Sequence, residues 1–341
     1  MTPRGKTEYE TYRQGIARGE VPALSRAITL AESTLTEHRK LAREIITWCL
    51  PRSGKSVRIG ITGIPGVGKS SFIESLGLYL VRECGRKIAV LAIDPTSSKT
   101  RGSVLGDKLR MQKLSQHKSV YIRPSPSAGS LGGVAKKTSD AIILCEAAGF
   151  DTILIETVGV GQSEITCHSM VDFFMLLMIT GAGDDIQGIK KGIIERADAV
   201  VITKADGKNR EKAELMKQEM KESLMFHRPT KSGWTPRTYS CSSVTGYGIS
   251  EIWQCVADYE KLCRENGYFA EKRRIQAKYR LHEALVQNLE DSFYENPIIK
   301  KTLGEVEKDV MGGKADPYTA AAALLDLYSE TLRLPKTARE E

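Results

Sequence analysis

The chain contains no CxxC pair, and none of its five histidines stands at metal-finger spacing from a cysteine. Cys49, Cys84, Cys145, Cys167, Cys241, Cys255 and Cys263 therefore read as reduced thiols of a cytosol-like compartment, not as a disulfide frame or a zinc site. The histidines fall singly, whereas metal-delivery proteins usually carry His- or Cys-rich binding segments. Long apolar runs are also missing. The longest, Val171 to Thr180, is too short to span a bilayer and is bounded by Asp172 and Asp184. The first residues, MTPRGKTEYETYRQ, lack the apolar centre of a secretory signal, and their acidic residues argue against a transit peptide. The expectation is a soluble, cytoplasmic protein, or a matrix protein if its source is mitochondrial. No single-sign charge block explains the formal charge of +8, because Lys and Arg alternate with Glu and Asp, as in EKAELMKQEMKE. That pattern describes a solvated helix face better than a nucleic-acid footprint, so neither nucleic acid nor membrane is expected as a partner. Internal repeats and low-complexity linkers are absent too.

What is present begins at GITGIPGVGKSSFIE, residues 60–74. Gly63, Gly68, Lys69 and Ser70 fit GxxxxGK[S/T] after the apolar run Val57 to Ile61, the setting of a phosphate-binding P-loop between strand and helix. Glycine permits the turn in which consecutive N–H groups face phosphate oxygens at a helix start. The candidate nucleotide contacts are thus Gly63, Ile64, Pro65, Gly66, Val67, Gly68, Lys69, Ser70 and Ser71. Lys69 is the cation for the β- and γ-phosphates, and the Ser70 hydroxyl is a ligand for Mg²⁺.

Apolar runs recur between helical stretches: IAVLAID (88–94), TILIETVG (152–159), DFFMLLMITG (172–181), AVVITKAD (199–206) and PRTYSCSS (236–243). Alternation of this kind predicts an α/β P-loop NTPase fold, a mainly parallel sheet covered by helices, with ligands beyond the carboxyl ends of its strands. Residues 1–55 read as a helical lead-in, with Leu41, Ile45, Trp48 and Cys49 on one face, and residues 56–262 as the NTPase domain. Residues 263–341 read as a helical extension broken at Asn296-Pro297 and Gly312-Gly313. Its apolar faces point to packing on a second copy, a homodimer.

Asp94 and Glu156 close strand runs, where a hard cation could take their oxygens. Asp107 is a third candidate, although an acid there also caps helices or forms turns. In AVVITKAD, Lys204 and Asp206 fit the core of the guanine signature: a carboxylate accepts from guanine N1–H and its 2-amino group, and adenine offers neither donor. Thr203 stands where Asn is usual, and CSSVTG, with Ser242, Ser243 and Val244, resembles the loop that meets guanine O6, with Ser243 in place of the commoner Ala. The readings in competition are a P-loop kinase acting on a small molecule or a transport protein, a metal-insertion GTPase, and a scaffold that binds nucleotide without turnover.

With these pieces in order, the chain resembles the MeaB/ArgK-type GTPases, the methylmalonyl-CoA mutase-associated G-protein chaperones. The resemblance is carried by GITGIPGVGKSSFIE, VLAIDPTSSKTRGSVLGDKLRM, YIRPSPSAGSLGGVAKKT, ILCEAAGFDTILIETVGVGQSE and TGAGDDIQGIKKGIIERADAVVITKAD, from about residue 12 to the C-terminal helices. It implies a GTPase that binds GTP and GDP with Mg²⁺, dimerises through its C-terminal helices and docks on a cobalamin-dependent methylmalonyl-CoA mutase. There it would gate adenosylcobalamin loading and protect the enzyme. It also implies that Asp94, Asp107 and Glu156 are the Mg²⁺-associated acids, with switch segments at 94–110, 156–162 and 181–191, and that Asp184 and Lys190 couple the last of these to hydrolysis.

Overall fold

The computed structural model describes residues 3–93, 111–125, 131–157, 162–181, 191–225 and 230–333. Seven parallel strands form one sheet in the order β3-β2-β4-β1-β5-β6-β7. They are β1 (Val57–Gly63), β2 (Ile88–Ile93), β3 (Val120–Ser125), β4 (Thr152–Thr157), β5 (Phe173–Met178), β6 (Ala199–Ile202) and β7 (Arg237–Ser240). The strands β1, β5 and β6 are buried at every position, as expected where helices cover both faces of a parallel sheet.

Among the described residues there are thirteen α-helices. In chain order they are α1 (Pro3–Ala17), α2 (Val21–Glu32), α3 (Thr36–Cys49), α4 (Lys69–Arg82), α5 (Gln112–Ser115), α6 (Leu131–Ala147) and α7 (Gln162–His168). They continue with α8 (Lys191–Ile194), α9 (Arg210–Met225), α10 (Ile249–Glu265), α11 (Tyr268–Tyr294), α12 (Pro297–Met311) and α13 (Pro317–Arg333). None is long and apolar enough to cross a membrane. All seven cysteines are free thiols, and burial pushes the thiol pKa of Cys49 and of Cys241 up to about 12.

The apolar runs expected to be strands are strands. The exception is β3, which sequence periodicity did not reveal. It carries Arg123, whose guanidinium reaches Glu32 and Thr29 of α2, and Pro124, which has no N–H to give to a ladder. A proline and a charged residue are tolerated here because β3 is the sheet edge. Ile45 and Cys49 are buried in one core with α2, α6 and β2, while Leu41 and Trp48 pack half-buried against it.

The chain divides into two compact units, Met1–Ala277 and Lys278–Glu341. In the first, a buried charge cluster closes the amino edge of the sheet. Arg58 of β1 makes a forked pair with Glu146 of α6, both contacts 2.9 Å, and Glu146 also accepts from the Ser56 hydroxyl and from Gly54 N. Arg273 forks onto Asp172 at 2.6 Å through two nitrogens, and Asp172 accepts from Arg58 N. Burial pushes the Glu146 carboxyl up, but Arg58, Ser56 and Arg273 outweigh it and hold it below the usual carboxylate range. In the second unit, α12 is capped by Asn296, whose side chain accepts from Ile298 N and Ile299 N. A cavity of about 1000 Å³ lies among Leu289, Phe293, Val310, Leu324 and Tyr328.

Candidate nucleotide site

Parallel pairing aligns the carboxyl ends of five strands. Glu156 pairs with Ile61, Leu177 with Gly63, Ile202 with Met178, and Ser240 with Ile202, so the loops that follow share one edge. The loop from Ile64 to Gly68 joins β1 to α4 there. Gly63 has φ +152°, and a Cβ on it would stand 2.5 Å from Leu177 O, so only glycine lets β1 approach β5 this closely. Gly68, at φ +98°, turns the chain left-handed into α4. Pro65, Gly66 and Ser71 are exposed, Ile64 is half-buried and Val67 is buried.

The Lys69 ammonium donates to Gly63 O at 2.7 Å and Ile64 O at 3.2 Å, folded back on its own loop. Burial lowers its pKa, and the carboxylates of Glu156 and Glu164 oppose that shift. Ser70 donates to Glu156 Oε1 at 3.2 Å, which sets two hard oxygen donors side by side at the start of α4. Behind them Thr157 donates to the Thr62 hydroxyl at 2.8 Å, and Thr62 faces Glu164 at 3.5 Å. Asp94, Asp107, Asp184 and Lys190 lie outside the described residues, as do the expected switch segments apart from Glu156, Thr157, Gln162, Gly181 and Lys191.

At the other end of the site, Thr203 is buried. Its hydroxyl faces Val67 O at 2.7 Å and Met178 O at 3.1 Å, tying the P-loop to the ends of β5 and β6. Lys204 is exposed, and its Cε lies 3.9 Å from where a Gly68 Cβ would stand. Asp206 Oδ2 accepts from the Ser242 hydroxyl at 2.6 Å. Ser242 Oγ in turn accepts from Val244 N and Thr245 N, both at 3.2 Å, so its proton and lone pairs are all committed. Ser243 is half-buried, and Val244 is 88% exposed at the rim.

The family model for the methylmalonyl Co-A mutase-associated GTPase MeaB matches residues 24–298. The chain belongs to the MeaB family of GTPases. Relatives of this MeaB-family chain include a probable GTPase of Mycobacterium tuberculosis, Rv1496, 44% identical over 315 residues that cover 92% of this chain and 94% of that one. The mitochondrial methylmalonic aciduria type A homolog of Mus musculus is 41% identical over 324 residues, 92% of this chain and 78% of that protein. Among solved structures, one titled a LAO/AO transport system kinase superposes with a TM-score of 0.72 at 31% identity, covering 96% of this chain and 98% of that one. The MeaB-family chain is thus a GTP hydrolase on a P-loop fold.

Three features of the site were not legible in the motifs. Thr62 and Thr157 flank recognised residues, but their contact depends on the pairing of β1 with β4. Asn209, in GKNRE after TKAD, donates to Lys204 O at 2.7 Å and accepts from Thr180 at 2.6 Å. Its position before a helix signalled only a turn former.

Proposed function

We propose that this GTPase is a nucleotide-dependent chaperone of a cobalamin-dependent methylmalonyl-CoA mutase, gating adenosylcobalamin loading and protecting the mutase. The observation that carries the guanine reading is the fixed acceptor, Asp206, held by Ser242 across from the P-loop. The family's description and the mouse relative's name support the choice of partner.

The residues present fit a magnesium ion: Ser70 and Glu156 offer oxygens at one point, and Asp94 and Asp107 are proposed to join them. Bound there, Mg²⁺ would offset charge on the β- and γ-phosphates. The chain's own part is positional. Lys69 supplies the cation, the loop N–H groups around Gly66 and Gly68 cradle oxygens, the Lys204 stem covers the ring, and Asp206 accepts from the guanine edge. In this reading Asp184 and Lys190 couple the segment after β5 to the mutase.

Homodimerisation belongs to the same proposal. The second unit exposes Leu281 (62%), Leu289 (66%), Met311 (79%) and Tyr318 (86%), an apolar surface that a second copy would cover.

Phosphate release from GTP, measured with and without the mutase of the same organism, tests the reading. Slow turnover that the mutase accelerates is expected, whereas a rate indifferent to the mutase rejects this partner. Sedimentation of wild type and Leu289→Arg tests the dimer, and an unchanged mass for the variant removes this face from it.

A further inference from the structure

Lys204 has φ +56° and is the sole non-glycine residue in the left-handed region among the described residues. A residue with a Cβ disfavours that conformation, so something must hold it. Its carbonyl accepts Asn209 Nδ2 at 2.7 Å, and Asn209 Oδ1 accepts the Thr180 hydroxyl at 2.6 Å from the end of β5. Both ends of the Asn209 carboxamide are therefore engaged, and they join the base loop to the turn that follows β5. Thr203 cannot do this, because its one proton is directed at Val67 O and Met178 O.

We propose that Asn209, anchored by Thr180, is a positioning residue for guanine nucleotide: it fixes Lys204 in its left-handed conformation so that the lysine stem lies over the P-loop and the base. This rests on the reading of Lys204 and Asp206 as the base-recognising pair. Asn209 acts through Lys204 alone, because Asp206 has its own brace in Ser242.

The test measures GDP and IDP affinity and GTP turnover for Asn209→Ala, Thr180→Val, Thr180→Ser, Lys204→Ala, Asp206→Ala and the Asn209→Ala/Lys204→Ala pair. Asn209→Ala is expected to weaken GDP roughly tenfold, the worth of one or two neutral hydrogen bonds, with the loss in KM and not in kcat. Thr180→Val should lose about threefold and Thr180→Ser should restore it. The GDP-to-IDP ratio should hold in Asn209→Ala and collapse in Asp206→Ala. On the Lys204→Ala background the Asn209 change should cost less than about twofold, since the residue it acts through is gone. Wild-type GDP affinity in Asn209→Ala, or a full tenfold loss that persists without the lysine, overturns the proposal alone. Wild-type affinity in both Lys204→Ala and Asp206→Ala overturns the base reading with it. Should Asn209→Ala not fold, Thr180→Val and its serine rescue carry the same decision.

Discussion

Replacing Asp206 by Asn should change which base the protein reads, and the geometry dictates the direction. The Ser242 hydroxyl has one proton, given to Asp206 Oδ2 at 2.6 Å, and its lone pairs receive Val244 N and Thr245 N. An asparagine at 206 must therefore turn its carbonyl oxygen toward Ser242 and its NH₂ outward. Guanine N1–H and the 2-amino group then meet a donor where they had an acceptor. Each unsatisfied donor costs about 1–3 kcal/mol. Taking the low end because Asp206 is half-buried, the loss is about 2–3 kcal/mol, roughly 30- to 150-fold in Kd. Xanthine carries a carbonyl in place of the 2-amino group and accepts from the same NH₂. The variant should prefer XDP to GDP in equilibrium competition and XTP to GTP in turnover. Adding Ser242→Ala frees the amide to flip, so the double variant should lose most of that preference. Unchanged GTP selectivity in Asp206→Asn would refute the assignment of Asp206, and an unchanged xanthine preference in the double variant would refute the role given to Ser242.

Lys69→Ala removes the ammonium now held on Gly63 O and Ile64 O and should abolish GTP hydrolysis while weakening triphosphate far more than nucleoside binding, as phosphate release and calorimetric titration would show. Glu146→Ala leaves Arg58 buried without its forked partner and should cost about 3–5 kcal/mol in denaturant unfolding, with GTP turnover at low temperature little altered. Equal unfolding midpoints would mean that the cluster is dispensable. Burial raises the Asp198 carboxyl to about 6 from its ordinary value of 3.8, against the pull of Lys272 and the Phe174 N–H. A raised acid stabilises the fold below about pH 4 and loses that contribution as pH climbs through 6. Asp198→Asn should thus raise the melting temperature relative to wild type at pH 7 and gain nothing at pH 4, and a pH-independent difference would contradict the burial argument.

Much of this fold could be read from local pattern because its central strands are buried on both faces. IAVLAI, FFMLLM and AVVI are apolar from end to end for that reason, and TILIET is apolar from Ile153 to Ile155. The edge strand β3 escaped because its buried apolar run is only Val120 to Ile122, after which Arg123 answers to Glu32 on a helix 91 residues away. The site divides the same way. The glycines, Lys69 and Ser70 are consecutive, so their geometry follows from local backbone rules. Lys204 and Asp206 were legible as types, but their bracing by Asn209, Thr180 and Ser242 joins residues that only the closed sheet brings together. The place of Thr203 is the clearest case. As a letter in a signature it was a departure, yet in three dimensions its hydroxyl is a structural tie and its side chain faces inward.

That tie has a kinetic consequence. One hydroxyl fastens the P-loop to the loop proposed to read the base, so on that proposal the two ends of a bound nucleotide are expected to be let go together. A change at 203, or a partner that pries either loop, should then act on residence time far more than on capture, since arrival needs only an open edge and departure needs the fastening undone.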